Sequence, residues 1–210
     1  MSSPPQKQRG SSQWILWLAL LFLAFISYRI FVHPAFNPNR VAQAETEMWR
    51  AYYDDNQTKL GYELVALFRN QYGLSLPEAA KIGKLYAQAA MKFRVAPGNY
   101  DTLVLPDLTE AYGLLKQATR ASYDPEAAAR AELAWWVARR MPGQNSPEQV
   151  GKKIAELYAV LYGREDPAFE KSGLLRAQAA ALRDAGGQEP DWGRVEALLQ
   201  QSYTALQQAL

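Results

Sequence analysis

The stretch AELAWWVARR, residues 131–140, holds the side chains whose types and spacing come closest to a binding site. On a helix turning 100° per residue, Leu133, Trp136, Val137 and Arg140 form one stripe, and Glu132, Trp135 and Arg139 form a second beside it. One tryptophan then belongs to the core, and the other borders it in the company of an acid and a guanidinium. Trp135 and Arg139, at i and i+4, are spaced for a cation–π stack. Two readings follow. In one, the second stripe walls a pocket with Trp49, the indoles facing an apolar or ring-shaped ligand and the arginine its carboxylate or phosphate. In the other, Trp135 packs on a neighbouring helix while Glu132 and Arg139 pair with that same helix. The second is preferred, because aromatic and arginine residues at helical spacing are common at helix seams.

Other chemistries are poorly supplied. There is no cysteine, so disulfides, thiolate nucleophiles and cysteine-ligated metals are excluded. The single histidine, His33, stands beside Pro34 without imidazole partners and reads as a boundary residue. Glu47, Glu110, Glu132, Glu156 and Glu196 leave a carboxylate-only metal or acid–base site formally open, but di-iron bundles use Glu-x-x-His pairs that this chain lacks. Neither a Walker or dinucleotide glycine loop nor GxSxG is present. No cofactor is called for. From Pro38 onward 20 basic residues face 21 acidic ones, a balance that argues against an electrostatic nucleic-acid binder.

The elements that must position these residues are helices. Ser75, Pro77 and Glu78, then Asp124-Pro125-Glu126, Ser146-Pro147-Glu148 and Asp166-Pro167, repeat one start signal, a capping side chain with a first-turn proline. Apolar stripes at helical spacing follow each start, and Gly73, Pro97-Gly98, Pro142-Gly143, Gly163 and Gly186-Gly187 stop them. Residues 40–56 form an amphipathic helix on Val41, Ala44, Met48 and Tyr52. Whether Asp54 to Gln57 breaks that helix from the next is open, and Asn99 to Leu105 has no assigned structure. Residues 191–209, on Trp192, Val195, Leu199, Ser202 and Leu206, read as a closing bundle helix. No segment alternates with period two, so the class is all-α: a single N-terminal transmembrane helix followed by a compact multi-helix bundle of helix hairpins.

That N-terminal helix is WILWLALLFLAFI, continuing to Val32. About 20 apolar residues are needed to cross a bilayer core, so residues 13–33 are expected to form a single-pass signal-anchor. Trp14, Trp17 and Tyr28 suit the two interfaces, and Arg29 can reach the headgroups near the far end. A cleaved signal peptide, with Ala42-Gln43-Ala44 as its site, is the rival; the gap to Ala44 is too long for it. Residues 1–12 are expected to be a disordered polar tail, 34–39 a linker and 40–210 the helical domain, placed on the non-cytoplasmic side of the membrane.

MWRAYY (residues 48–53), AELAWWVARR, LYAVLYG (157–163), LLRAQAAALRDA and DWGRVEALLQQSYTAL resemble an uncharacterised family of small all-helical bacterial proteins. The resemblance covers most of the chain from Glu45 onward and implies one domain of bacterial source, with no activity, cofactor or catalytic residue to carry over. The leading functional expectation is a membrane-anchored helical scaffold that engages a protein partner. The alternative is a small-molecule or lipid-binding domain with a pocket lined by Trp49, Trp135 and Arg139. An enzyme ranks third, because no nucleophile–base pair or metal cluster assembles from the sequence. A scaffold requires an exposed apolar patch of several hundred Å², a ligand binder a cavity of about 300 Å³ or more.

Overall fold

Prolines and short polar side chains divide the chain into helices because a first-turn proline lacks only an N–H that the helix leaves unpaired, and an Asn, Asp or Ser oxygen satisfies another. The computed structural model describes residues 11–210. Ten α-helices and no strand occur among them: α1 (Ser11–Phe31), α2 (Pro38–Tyr53), α3 (Gln57–Tyr72), α4 (Leu76–Val95), α5 (Tyr100–Leu103), α6 (Leu105–Thr119), α7 (Pro125–Arg140), α8 (Pro147–Tyr162), α9 (Pro167–Ala185) and α10 (Trp192–Gln208).

The caps carry out the expected grammar. Asn37 Oδ1 accepts the Arg40 N–H at 3.1 Å, Asp124 Oδ1 that of Glu126 at 2.8 Å, Ser146 Oγ that of Gln149 at 3.3 Å and Asp166 Oδ1 that of Ala168 at 2.8 Å. At α4 the Glu78 carboxylate reaches back to accept from the Ser75 N–H at 2.8 Å and hydroxyl at 2.6 Å. Residues 54–56 are a break: Asp55 turns through φ +56°, and Asn56 Oδ1 caps α3 by accepting the Lys59 N–H at 3.0 Å. The stretch after Pro97-Gly98 holds the four-residue α5, entered through Asn99 at φ +57°.

Within His33–Leu210, which form one compact unit, each long helix packs on the next in chain order. α2 meets α3, α3 meets α4, α4 meets α6, and the sequence continues through α7, α8 and α9 to α10, which packs back on α2. The bundle of hairpins is thus a closed ring of eight helices, with α5 bridging α4 and α6. The tightest joint is between α8 and α9. A Cβ on Gly151 would stand 2.7 Å from Leu174 Cα, and one on Gly173 would run into the Gly151 carbonyl, so only glycine permits this approach. His33 extends the unit's start: its ring Nδ1 hydrogen-bonds the Gly73 carbonyl, the α3 C-cap, at 2.7 Å. Ala42 and Ala44 are buried in α2, so a cut after Ala44 would remove the half of the helix that carries Val41 and Ala42 into the core.

The transmembrane expectation finds no support in the structure. Among the described residues, no helix is long and apolar enough to cross a membrane. α1 is helical over 21 residues, but its uninterrupted apolar run, Trp14 to Ile26, covers only about 20 Å at 1.5 Å per residue, against a hydrocarbon core of about 30 Å. Its large side chains are exposed, with Trp14 at 74%, Trp17 at 64% and Tyr28 at 65%. Ser11 and Ser12 belong to α1 rather than to the tail. The rest of the tail and the side chain of Arg29 lie outside the described residues. α1 and Val32 fall in a separate unit from the ring.

Candidate functional site

α7 starts at the Asp124 cap as one wall of the ring and turns Glu132, Trp135 and Arg139 of one stripe, with Trp136 and Arg140 of the other, towards its inside, while Leu133 and Val137 do not line that space. Its neighbours do the same with their own i, i+3, i+4 faces: Trp49, Tyr52 and Tyr53 on α2, Leu60, Leu64 and Phe68 on α3, Tyr86 and Phe93 on α4. Between them lies a cavity of about 410 Å³, with Tyr112 of α6, Tyr158 of α8 and Arg176 of α9 completing its wall. The rings pack edge to face or tilted: Trp136 with Tyr86 at 5.4 Å, Trp136 with Phe93 at 5.3 Å, Trp135 with Trp136 at 6.2 Å.

Two buried carboxylates organise the interior. Glu132, 1% exposed, accepts from the Tyr112 hydroxyl at 2.9 Å, the Trp136 indole N–H at 2.8 Å and the Tyr86 hydroxyl. Glu45, fully buried, accepts from Arg176 Nε at 2.8 Å and Nη2 at 2.5 Å, and from the Tyr203 hydroxyl at 2.6 Å. Burial, then the nearby Glu132, pushes the Tyr86 and Tyr112 hydroxyls well above the usual phenol range; burial and Glu45 do the same to Tyr203. Burial works against charge on Arg176, but Glu45, Tyr203, Tyr158 and Glu132 together outweigh it and raise its pKa. The tyrosines are therefore fixed donors and the arginine a fixed cation.

Two interior groups are left over: the Trp135 indole N–H and the Tyr158 hydroxyl, on residues that line the cavity, are buried without a hydrogen-bond partner. The mouth, by contrast, is formed by part-exposed Tyr52, Tyr53, Arg94 and Arg139 with the exposed Arg140 and Asp184. Arg139 Nη2 donates to both Asp184 oxygens, at 3.1 and 2.8 Å, and to the Tyr53 hydroxyl at 3.0 Å. Arg94 pairs with Asp55. Arg140 donates to the Phe93 carbonyl at 2.7 Å and the Tyr52 hydroxyl at 3.2 Å, both neutral acceptors.

Glu132, Trp135, Arg139 and Trp49 thus line one cavity. Their partnerships differ from those expected. Trp135 does not stack on Arg139; it lies under Arg176, whose guanidinium carbon is 4.9 Å from the ring centroid, while Arg139 lies 5.6 Å above Trp49. Arg139 does tie α7 to a neighbour, but Glu132 turns to α4 and α6 rather than to that helix. Both tryptophans of the pair are buried, at 5% and 8% exposure. Glu45 and Arg176 were not singled out from the sequence. Their signal is a lone charge on an otherwise small, apolar helix face, Glu45 among Val41, Ala42 and Ala44 and Arg176 among Gly173, Ala177 and Ala180.

Among the described residues, no group of three or more His, Asp or Glu side chains is placed to hold a metal ion. Glu47 binds Arg50 and Lys59 instead, at 3.0 and 2.6 Å. Comparison with protein-family models, curated proteins and solved structures finds no match to this chain. The family resemblance therefore rests on the segments that carry it.

Proposed function

We propose that the helical ring is a small-molecule-binding domain that takes an apolar or ring-containing ligand into its central cavity. The observation that carries this reading is a cavity of about 410 Å³ walled by aromatic rings, among them Trp135, whose buried indole N–H has no partner. That volume falls within the range of ligand pockets, and an apolar wall with a few convergent polar groups is their usual composition. It reverses the order of the two sequence expectations.

A membrane tether through α1, with the domain on the non-cytoplasmic side, completes the proposal. Its support is the exposure of Trp14, Ile15, Leu16, Trp17 and Leu18, which together go all round one helix and make an apolar phase the favourable surrounding. Vesicle flotation tests it: the full chain should float with phosphatidylcholine vesicles, and the double variant Leu21→Lys, Phe22→Lys should stay at the bottom. Equal behaviour would rule the tether out.

Calorimetric titration of the full chain with 2-naphthoate tests the cavity. With about thirteen non-hydrogen atoms at about 0.5 kcal/mol each, the probe should bind with Kd on the order of 20 μM. Ala90→Trp, which fills the cavity from α4, should abolish binding and keep the helical circular dichroism. Absence of saturable one-to-one binding by naphthoate, decanoate and dodecanol would refute the reading.

A further inference from the structure

The two ends of the cavity differ in charge and in what they leave unbonded. At the deep end, Arg176 is already taken by Glu45, and Glu132 accepts from neutral donors, so no cation there is left for an anion. An anion driven there would lose hydration without gaining a counter-charge. What the deep end lacks is an acceptor: the Trp135 N–H and the Tyr158 hydroxyl have no partner, and an indole can only donate. At the mouth the balance reverses. Asp184 is shared between Arg139 and Arg183, at 2.8 and 3.3 Å, Arg94 has Asp55, and Arg140 has only a carbonyl and a phenol. The Arg140 guanidinium also lies flat against Phe93, 3.7 Å from the ring centroid, which holds its charge in place at the rim.

We infer that the ligand is a monoanion with an apolar or aromatic body, its anionic group at Arg140 in the mouth and a neutral acceptor, a carbonyl or ether oxygen, on the indole N–H of Trp135. This rests on the ligand-binding reading and gives that ligand a chemical class and a direction. The orientation follows from where a cation is free: a neutral acceptor satisfies Trp135 without bringing a charge to an interior whose arginine is already paired, while a carboxylate at the rim keeps part of its hydration and meets an arginine with no acid of its own. The reversed pose loses on both counts.

Three probes on one ring system separate the contributions: 6-acetyl-2-naphthoate has both groups, 6-isopropyl-2-naphthoate lacks the carbonyl, and 6-acetyl-2-naphthalenemethanol lacks the charge. In titrations of the full chain, the acetyl naphthoate should bind about fivefold to tenfold tighter than its isopropyl analogue. Trp135→Phe should erase that difference while still binding the isopropyl probe, which also shows that the variant is folded. Arg140→Gln should weaken both naphthoates about tenfold and leave the alcohol unchanged. If the acetyl and isopropyl probes bind equally to the wild type, or if Arg140→Gln affects charged and neutral probes alike, the assignment is overturned and the cavity reading stands. If none of the probes binds, or if binding survives Ala90→Trp, both are overturned.

Discussion

Replacing Glu45 by alanine isolates the interaction on which the ring's closure most depends. Glu45 on α2 is fully buried and joins Arg176 on α9 to Tyr203 on α10, the three helices that meet where the ring closes. Its removal strands the Arg176 guanidinium, 8% exposed, and the Tyr203 hydroxyl, fully buried. Breaking a buried pair from one side costs about 3–5 kcal/mol, mostly from the charge left behind. In a domain of this size that lowers Tm by about 6–20 °C. Urea unfolding of the full chain, followed by circular dichroism, measures it. Pairing Glu45→Ala with Arg176→Met completes the test: if the loss arises from the stranded cation, the double variant should recover about 2–3 kcal/mol relative to the sum of the singles. A Glu45→Ala loss below about 1 kcal/mol, or strict additivity, would show that Arg176 escapes to water and that the buried pair does not hold the closure.

The buried tyrosines make the fold sensitive to base. The hydroxyls of Tyr72, Tyr86, Tyr112, Tyr158 and Tyr203 all lie above their unfolded value of about 10, so above that pH the unfolded chain binds fewer protons than the folded one and stability falls as pH rises. At about 1.4 kcal/mol per group and pH unit, five groups should unfold the domain between about pH 10 and 12. Absorbance at 295 nm should rise together with loss of helical signal; tyrosine ionisation near pH 10 in an intact fold would contradict this. Two glycines should respond in opposite directions. Gly173→Ala forces α9 away from the Gly151 carbonyl and should cost about 2–3 kcal/mol, whereas Gly113→Ala adds a methyl to open space on α6 and should add up to about 1 kcal/mol. Urea midpoints for both distinguish a packing role from generic helix propensity.

Helix positions were legible because their signals are local. The Asp124, Ser146 and Asp166 starts lie where the capping side chains place them, and Gly73 and Gly163 end α3 and α8 in the left-handed conformation. The four-residue α5 was hidden because one turn has no apolar period to read. The ring's closure was hidden for a different reason: the contact of α10 with α2 joins segments about 150 residues apart, and no local pattern encodes a partner at that distance. At the site, the inward stripes of α7 were legible and their pairings were not. A cation–π stack of Trp135 on Arg139 is worth about 0.5–1 kcal/mol near a surface, while charge-assisted bonds such as those Arg139 makes to Asp184 are worth about 1.5–3 kcal/mol. The stronger bonds lie on another helix, and they take the guanidinium.

The size of the cavity bears on whether it is a packing defect or a site. The cavity of about 410 Å³ opens to solvent at its mouth, so without a ligand it holds water, about fourteen molecules at about 30 Å³ each. Water is the poorer filling. Each water needs two to four polar partners, and the walls supplied by Leu60, Leu64, Phe68 and Phe93 offer none, so most of the water is weakly held and its release favours binding. Binding in the cavity then removes apolar surface from water, and the heat capacity change on naphthoate binding should be negative. Titrations at several temperatures between 10 and 35 °C would measure it. A change near zero would place the probe on the surface, at the arginine rim alone, and would leave the interior without a ligand to account for it.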